Sequence, residues 1–417
     1  MSLASQDDFY FDPFSAEVIA NPDSWYRELR DHHPVYYNPD YDTFFFSRFE
    51  DVWNVLRIGK NVLLATETNL PTSDYLRNRH NSEAPPLAST NPMAPGPQLH
   101  SPYYEAMHQL HIGPLRPRAV AQLQQFVRQL AREQLDKMLP RGQFDLTSEY
   151  TAIVPARVIC HLFGLPLSVA DEVIASVNSI GRFKSGRNGV DLTSFFTELQ
   201  KYIVPAIQAR REAGADGSNA LVDGLVNYRQ APDNRPMSDA EIADQLVCAM
   251  VGGMESVPKV SGGGILELWR HPEQLAAVRA DLDKNLPIAA GEMIRYCAPA
   301  QYTFRTAHRD VVVAGQKIRA GQRVASMLYS AARDEREFDN PDDFVWNREI
   351  PRVISFGAGQ HHCIGKYLAI MEVQTLVHEF LSRVADFDID LSGAGGNVGY
   401  FQRGWISLPV RITSLRD

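Results

Sequence analysis

The chain has 417 residues, of which 44% are hydrophobic and 22% are charged, a composition typical of a globular protein with a sizeable core. Its formal net charge of −9 argues against nucleic acid as a binding partner. Four scattered cysteines do not form a disulfide framework, so a reducing compartment, the cytoplasm, is expected.

The N-terminal segment, residues 1–13, is acidic and lacks a basic region followed by an apolar run. Neither a signal peptide nor a membrane span is expected there, because both need a longer apolar stretch. No Gly/Ser linker, repeat or low-complexity tract divides the chain. We therefore predict that residues 1–417 form a single domain.

The first part of the chain combines helices with a β-hairpin. Two aromatic runs, residues 35–37 and 43–46, flank Asn-Pro-Asp and so indicate the hairpin. A helical pattern lies on each side of it. Together with apolar runs further along the chain, the hairpin predicts a smaller β-rich part at about residues 30–60 and 300–330.

A long segment, residues 60 to about 100, is rich in proline and asparagine. Such a length without clear periodicity is either functional or disordered. Residues 119–230 follow with helical periodicity, interrupted by a polar, basic connector at 181–191 that is either a solvated loop or part of a lid. The helices predicted in this region span residues 119–137, 154–162, 169–179 and 192–212.

The longest helical pattern begins at a capping box, Ser238-Asp-Ala-Glu241, and continues to about Arg270. Residues 246–251 are almost entirely apolar. This part of the helix is therefore predicted to be buried on all sides.

Two glycines and Pro258 interrupt this helix. Because Pro258 has no N–H for the carbonyl of Met254, we expect the helix to open there. Glu255 and Ser256 lie at this point, and a carboxylate among apolar residues is costly unless it has a partner. Local loss of stability on an otherwise good helix indicates a functional site; the alternative is a proline kink with a glutamate that reaches the solvent.

Residues 354–365 read Ile-Ser-Phe-Gly-Ala-Gly-Gln-His-His-Cys-Ile-Gly. A helical pattern after them puts Cys363 at a helix N-terminus, where N–H groups and the helix dipole favour a thiolate. A thiolate there is a good axial ligand for haem iron. The alternative is a small buried hydrophobe, which is our expectation for Cys160, Cys248 and Cys297.

Two other uses of this stretch are disfavoured. Zinc ligands are usually separated by two to four residues, whereas His361, His362 and Cys363 are adjacent. A dinucleotide-binding loop needs a third glycine where His362 stands.

This stretch resembles the haem-ligand signature of the cytochrome P-450 superfamily, on the residues Phe356, Gly357, Gly359, His361, Cys363 and Gly365. The resemblance extends over nearly the whole chain, most firmly from Ser238 to Cys363. It implies a mainly α-helical fold with a smaller β-rich region, enclosing one haem b. Cys363 is then the proximal iron ligand, Phe356 shields its sulfur, and His361 contacts a haem propionate.

The same resemblance implies roles elsewhere. Glu255 and Ser256 match the acid and alcohol of the oxygen-activating motif, with serine in place of the usual threonine, and handle protons. Arg305 matches a propionate ligand, whereas Tyr104 and His108 occupy the places of the family's histidine and arginine. The implied substrate-facing residues are Cys248, Val251, Gly252, Thr303 and Phe401.

In the family, counterparts of Glu292, Arg295 and Arg348 form a buried charged triad that supports the cysteine loop. From Glu292-x-x-Arg295 alone, a surface ion pair is the default interpretation. The resemblance also implies that the proline-rich segment covers the substrate pocket.

The expected function is that of a soluble, monomeric, bacterial-type monooxygenase that hydroxylates an apolar small molecule with O2 and two electrons. No flavin or iron–sulfur signature is present, so a separate ferredoxin-type donor with its reductase is expected, docking at Arg116, Arg118, Arg352 and Lys366. One alternative is a peroxide-using haem-thiolate enzyme, against which Glu255 and Ser256 argue. The other is a non-catalytic haem protein that senses or carries a gas.

Overall fold

The computed structural model describes residues 9–64, 71, 73–80, 91–181, 192–396 and 401–416. Parts of three predicted features lie outside these residues: the acidic N-terminus (1–8), the proline-rich segment (65–70, 72 and 81–90) and the polar connector (182–191).

The described chain is mostly helical. Its α-helices are α1 (Ala16–Ala20), α2 (Pro22–His32), α3 (Phe49–Leu56), α4 (Ser73–His80), α5 (Tyr103–Ile112), α6 (Pro117–Met138), α7 (Ile153–Phe163), α8 (Ala170–Gly181), α9 (Leu192–Glu212), α10 (Ala220–Asn227), α11 (Asp239–Arg270), α12 (Pro272–Ala280), α13 (Leu282–Cys297), α14 (Leu328–Ala331) and α15 (Lys366–Arg383). A π-helical segment, Leu146–Thr151, precedes α7. None of the described helices combines the length and hydrophobicity needed to cross a membrane.

The strands are short and form several small sheets. They are β1 (Val35–Asn38), β2 (Thr43–Phe46), β3 (Leu63–Leu64), β4 (Gln143–Asp145), β5 (Arg229–Gln230), β6 (Arg235–Pro236), β7 (Tyr302–Ala307), β8 (Val311–Val313), β9 (Gln316–Ile318), β10 (Arg323–Met327), β11 (Val384–Ile389), β12 (Gly395–Gly396), β13 (Trp405–Ser407) and β14 (Pro409–Leu415). The largest sheet has the order β1-β2-β10-β7-β3.

This sheet joins the two predicted β-rich parts. The predicted hairpin forms with Val35 opposite Phe46, and β2 pairs in parallel with β10. The aromatic side chains of the hairpin are buried against β7 and β10. Because β7 is fixed in the sheet, Thr303 and Arg305 have defined positions.

Helix α11 runs through the centre of the helical part, in contact with α7, α9, α13 and α15. The predicted capping box is present, since Ser238 and Glu241 bond each other's backbone N–H groups. The expected opening at Pro258 does not break the helix, which stays helical from Asp239 to Arg270. One proline removes a single intrahelical bond, and packing on several sides holds the turns around it.

The segment before Cys363 is held by a buried charged triad. The Arg295 guanidinium donates to both Glu292 oxygens, at 2.6 and 2.7 Å, and Arg348 Nε donates to the same carboxylate at 3.1 Å. Glu292 is fully buried, so the default interpretation of a surface pair is wrong. The Ser355 hydroxyl donates to the carbonyl of Ile294 at 2.9 Å, which ties the cysteine loop to α13, the helix that carries Glu292 and Arg295.

Glu372 on α15 yields a prediction about stability. Its side chain is buried and its Oε1 has no hydrogen-bond partner among the described residues, and burial raises the pKa from 4.5 to about 8. Between these pH values the folded protein keeps a proton that the unfolded chain has lost. The free energy of unfolding therefore falls as pH rises through this window, by about 1.4 kcal/mol per pH unit.

Glu372→Gln should remove this dependence, so that the variant gains stability over the parent between pH 5 and pH 8. The measurement is guanidinium unfolding at several pH values. Glu273→Gln, at an exposed position on α12, serves as the control. Parallel pH curves for Glu372→Gln and the parent would refute the argument.

Candidate active site

The cysteine loop, residues 354–365, lies between α3 and the start of α15. The Cys363 N–H donates to the carbonyl of Phe356 at 2.9 Å, and Gly365 is the N-cap of α15. Burial raises the pKa of the Cys363 thiol, while the backbone of Gly365 and the charge of Lys366 act in the opposite direction. A bound cation would be needed to hold the buried sulfur as a thiolate.

Two glycines shape this loop for different reasons. Gly357 has φ +69° and open space where a Cβ would lie. Gly359 has φ +70°, and a Cβ there would lie 2.2 Å from the carbonyl oxygen of Leu56 in α3. The sequence suggested that glycines let the loop lie against a planar ligand. For Gly359 the close neighbour is protein backbone instead.

Four side chains from three elements form what we call the donor cluster: Tyr104 and His108 on α5, Arg305 on β7 and His361 in the cysteine loop. The Tyr104 ring lies 4.2 Å from the His361 ring and 5.1 Å from the His108 ring. Its hydroxyl donates to the carbonyl of Gln360 at 2.7 Å. The structure thus brings together all four residues that the sequence predicted to hold the propionates.

The cation of the donor cluster, Arg305, has hydrogen-bond partners but no carboxylate partner among the described residues. Arg305 donates to Thr303 Oγ1 at 3.0 Å and to the carbonyl of Phe304 at 2.7 Å, and no described carboxylate forms an ion pair with it. Burial lowers the pKa of Arg305 to about 10, so it stays charged at neutral pH. Burial, with help from Arg305, lowers the pKa of His361 to about 3.

His108 adds an unused donor or acceptor to the cluster. Burial, followed by the neighbouring His362, lowers the pKa of His108, and its buried Nε2 has no partner within the described part of the chain. A cluster with one unpaired cation and a vacant hydrogen-bonding nitrogen suits a ligand that carries carboxylates, as the propionate edge of haem does.

Helix α11 presents a partly accessible stripe. Cys248, Gly252 and Ser256 are spaced by four residues and therefore lie on one face, and all three are at least partly accessible, as is Val251. A Cβ at Gly252 would meet nothing within 4 Å. The prediction that residues 246–251 are buried on all sides is wrong, because this face borders open space.

Ser256 and Glu255 have different surroundings. The Ser256 hydroxyl donates to the carbonyl of Gly252 at 2.9 Å, along the accessible stripe. Glu255 is buried, 7% exposed, and its carboxylate lies 3.4 Å from Lys259 Nζ. The partner that a buried carboxylate requires is therefore Lys259, which the sequence analysis did not single out. The sequence did contain a signal for this pair, because Lys259 follows Glu255 by four residues and so lies on the same face of the helix.

The remaining predicted substrate residues are less uniform. The Thr303 hydroxyl accepts from Arg305, so it is already engaged with the donor cluster. Phe401 is partly buried against the aromatic residues of the β-rich part. Burial raises the pKa of the Cys248 thiol to about 12, which keeps it neutral.

Comparison with known proteins identifies the class. The family model "Cytochrome P-450" matches residues 168–391. Cytochrome P-450 130 of Mycobacterium tuberculosis is 27% identical over 413 residues, covering 96% of this chain and 97% of the relative. The putative cytochrome P-450 126 of the same organism is 31% identical over 294 residues, covering 68% and 69%. The crystal structure of CalO2 matches with a TM-score of 0.79 and 26% identity over 97% and 98% of the chains.

The chain therefore belongs to the cytochrome P-450 family. It is a haem-thiolate monooxygenase that binds haem b and uses O2, a substrate and electrons from a redox partner. The residues present fit that cofactor. A cysteine lies just before the N-cap of α15, and the Arg305 cation has no carboxylate ion-pair partner among the described residues. A Cβ at Gly252 or at Gly357 would meet nothing within 4 Å.

The contact of Gly359 with α3 generates a prediction for the cysteine loop. In Gly359→Ala the new Cβ meets a backbone oxygen that no rotamer change can move, so we expect purified protein with little bound haem. Gly142→Ala is the matched control, since Gly142 also has φ +70° but open space around it, and should lose only about 1–2 kcal/mol of stability. The ratio of Soret to protein absorbance measures the outcome. Full haem content in Gly359→Ala would contradict the packing argument.

Proposed function

We propose that this protein hydroxylates an apolar small molecule, with Cys363 as the iron ligand and a ferredoxin-type protein as the electron donor. The observation that carries the proposal is the position of Cys363. It lies two residues before the N-cap of α15, on a loop fixed by α3 and the charged triad. It is adjacent to a donor cluster whose cation, Arg305, has no carboxylate ion-pair partner among the described residues. Haem b, when bound, supplies the activation of O2.

In this proposal Arg305, His361, Tyr104 and His108 hold the propionates. Arg305 is the one group among them with a full charge at neutral pH, so it provides most of the attraction. Tyr104 positions the cysteine loop. Its hydroxyl donates to the carbonyl of Gln360, which holds the loop against α5. Phe356 and Gly365 orient the sulfur through the backbone bonds on either side of Cys363.

Glu255 and Ser256 deliver protons in the proposed reaction. Ser256 lies on the accessible stripe of α11, where its hydroxyl can exchange the bond to Gly252 for one to a bound ligand. Glu255 is next to it in sequence but buried, so it can hold a proton away from bulk solvent. This pair favours O2 over peroxide as the oxidant, because peroxide already carries the protons that such a pair would deliver.

The substrate side of the proposal rests on Cys248, Val251, Gly252 and Phe401, which are neutral or apolar. Thr303 marks the boundary with the donor cluster, because its hydroxyl is committed to Arg305. A neutral lining without unpaired charge suits an apolar molecule.

The electron donor is proposed to dock near Lys366, whose ammonium lies over the rings of Phe356 and Tyr367 at the start of α15. Arg352 contributes less positive charge to the predicted basic patch than expected, because it forms ion pairs with Glu50 and Glu337. Arg116 and Arg118 remain at exposed positions. In this proposal the protein acts as a monomer.

The proposal is tested by the absorption spectrum of the dithionite-reduced holoprotein with CO. A strongly red-shifted Soret band is expected for the parent if Cys363 holds the haem iron as a thiolate. Cys363→Ser should lose this band, whereas Cys160→Ala, a buried cysteine in the helical core, should keep it. A parent spectrum with an unshifted, histidine-like band would overturn the assignment of Cys363.

A further inference from the structure

Lys259 is a buried cation with very few partners. Its side chain is 4% exposed. The ammonium lies 3.4 Å from Glu255 Oε2 and donates to the Glu255 carbonyl at 3.1 Å and to Gln402 Oε1 at 2.7 Å. Glu255 is therefore its sole negative partner within the described residues. Burial lowers the pKa of this lysine, although Glu255 acts in the opposite direction.

The C-terminal turn, residues 401–404, holds the lysine in place. Gly404, at φ +141°, packs so closely that a Cβ there would lie 2.8 Å from Lys259 Cβ. The turn is itself fixed, because the Gln301 N–H donates to the Phe401 carbonyl at 2.8 Å and the Arg403 N–H donates to the Pro299 carbonyl at 2.7 Å. Contacts with this turn therefore fix the position of the Lys259 side chain next to Glu255.

A small cavity lies against the same pair. Its volume of about 20 Å³ is enough for one water molecule, and Glu255, Lys259, Thr147 and Ser148 line it together with Trp405 and Ile406. Thr147 is 3% exposed, and its hydroxyl has no partner in the described part of the chain. Ser148 and Ile406 are exposed, so the cavity lies just below the surface.

From this geometry we propose that Lys259 is a positioning residue that holds the Glu255 carboxylate beside the cavity, and that Glu255 takes up its protons from a water bonded to Thr147. The inference rests on the proposed role of Glu255 in proton delivery. The proton passes from the water to the carboxylate, and the solvent beyond Ser148 and Ile406 returns a proton to the hydroxide left behind. Protons then enter from the Thr147 side of α11 and not across the substrate stripe.

The pair has a chemical consequence beyond packing. Without Lys259, the buried Glu255 carboxylate would lose the cation that holds it beside the cavity, and an isolated buried charge is strongly disfavoured. A carboxylate that moves away from the cavity cannot accept the next proton there. Loss of the lysine should therefore slow repeated proton delivery even if the fold and the haem are intact.

The experiment measures O2 consumption and peroxide release by the holoenzyme in H2O and in D2O. Electrons come from NADPH through a ferredoxin and reductase pair that sustains O2 consumption by the parent. Lys259→Met should lower the rate about tenfold and raise the solvent isotope effect, while Lys259→Arg, which keeps the charge, should recover most of the rate. The reduced CO spectrum verifies haem ligation in each variant.

Glu255→Gln separates this inference from the function on which it rests. If Glu255→Gln changes neither the rate, the peroxide yield nor the isotope effect, the role of Glu255 in the proposed function is wrong. If Glu255→Gln is impaired but Lys259→Met behaves like the parent, only the inference is overturned. If Lys259 acts through Glu255, the double variant Lys259→Met/Glu255→Gln should be no slower than Glu255→Gln alone.

Thr147→Val tests the cavity without removing a charge, and so remains informative if Lys259→Met does not fold. It should lower the rate and raise the isotope effect by removing the hydroxyl that holds the water. Thr151→Val is the matched control: this hydroxyl, on the same π-helical segment, donates to the Pro258 carbonyl at 3.2 Å and does not line the cavity. If Thr147→Val and Thr151→Val have the same rate and the same isotope effect, the proposal that protons enter at Thr147 is wrong.

Discussion

The structure depends on the buried carboxylate of Glu292. It accepts bonds from Arg295, Arg348 and the backbone N–H of Val345, and Arg295 in turn donates to the carbonyls of Ala332 and Pro341. Three stretches that are distant in sequence therefore meet at one charge. Removing one member of such a pair typically costs 3–5 kcal/mol, because an unpaired buried charge remains. The cysteine loop is attached to this assembly through Ser355, so the position of Cys363, the proposed iron ligand, depends on it.

Much of the fold was accessible from sequence because the decisive signals are local. The capping box at Ser238, the aromatic hairpin of β1 and β2, and the periodic helices from α6 to α9 all formed where the pattern predicts them. The family resemblance added the long-range pairings, such as that of Glu292 with Arg348, which no local pattern determines. Without it, Glu292 and Arg295 are only an acid and a base on one helical face.

The errors are equally specific. The helix does not open at Pro258, because contacts with α7, α9, α13 and α15 outweigh one missing hydrogen bond. The all-apolar stretch 246–251 is not wholly buried, because hydrophobicity does not distinguish a side chain in the core from one that borders a ligand space. Gly359 is dictated by the backbone of α3, a tertiary contact that local sequence cannot indicate. Lys259 was overlooked because a lysine in a helix is usually solvated, and the C-terminal turn that packs against it is distant in sequence.

Helix geometry relates the two functions proposed for α11. Successive residues are rotated by about 100°, so Glu255 and Ser256 face different surroundings although they are adjacent. Ser256 shares its face with Cys248 and Gly252, whereas Glu255 shares its own with Lys259. One side of the helix can therefore be apolar and accessible to a substrate while the neighbouring side carries a buried charge close to water. In the proposed mechanism, this separation would let protons be supplied without admitting water to the substrate space, where it would divert reducing equivalents from product to peroxide.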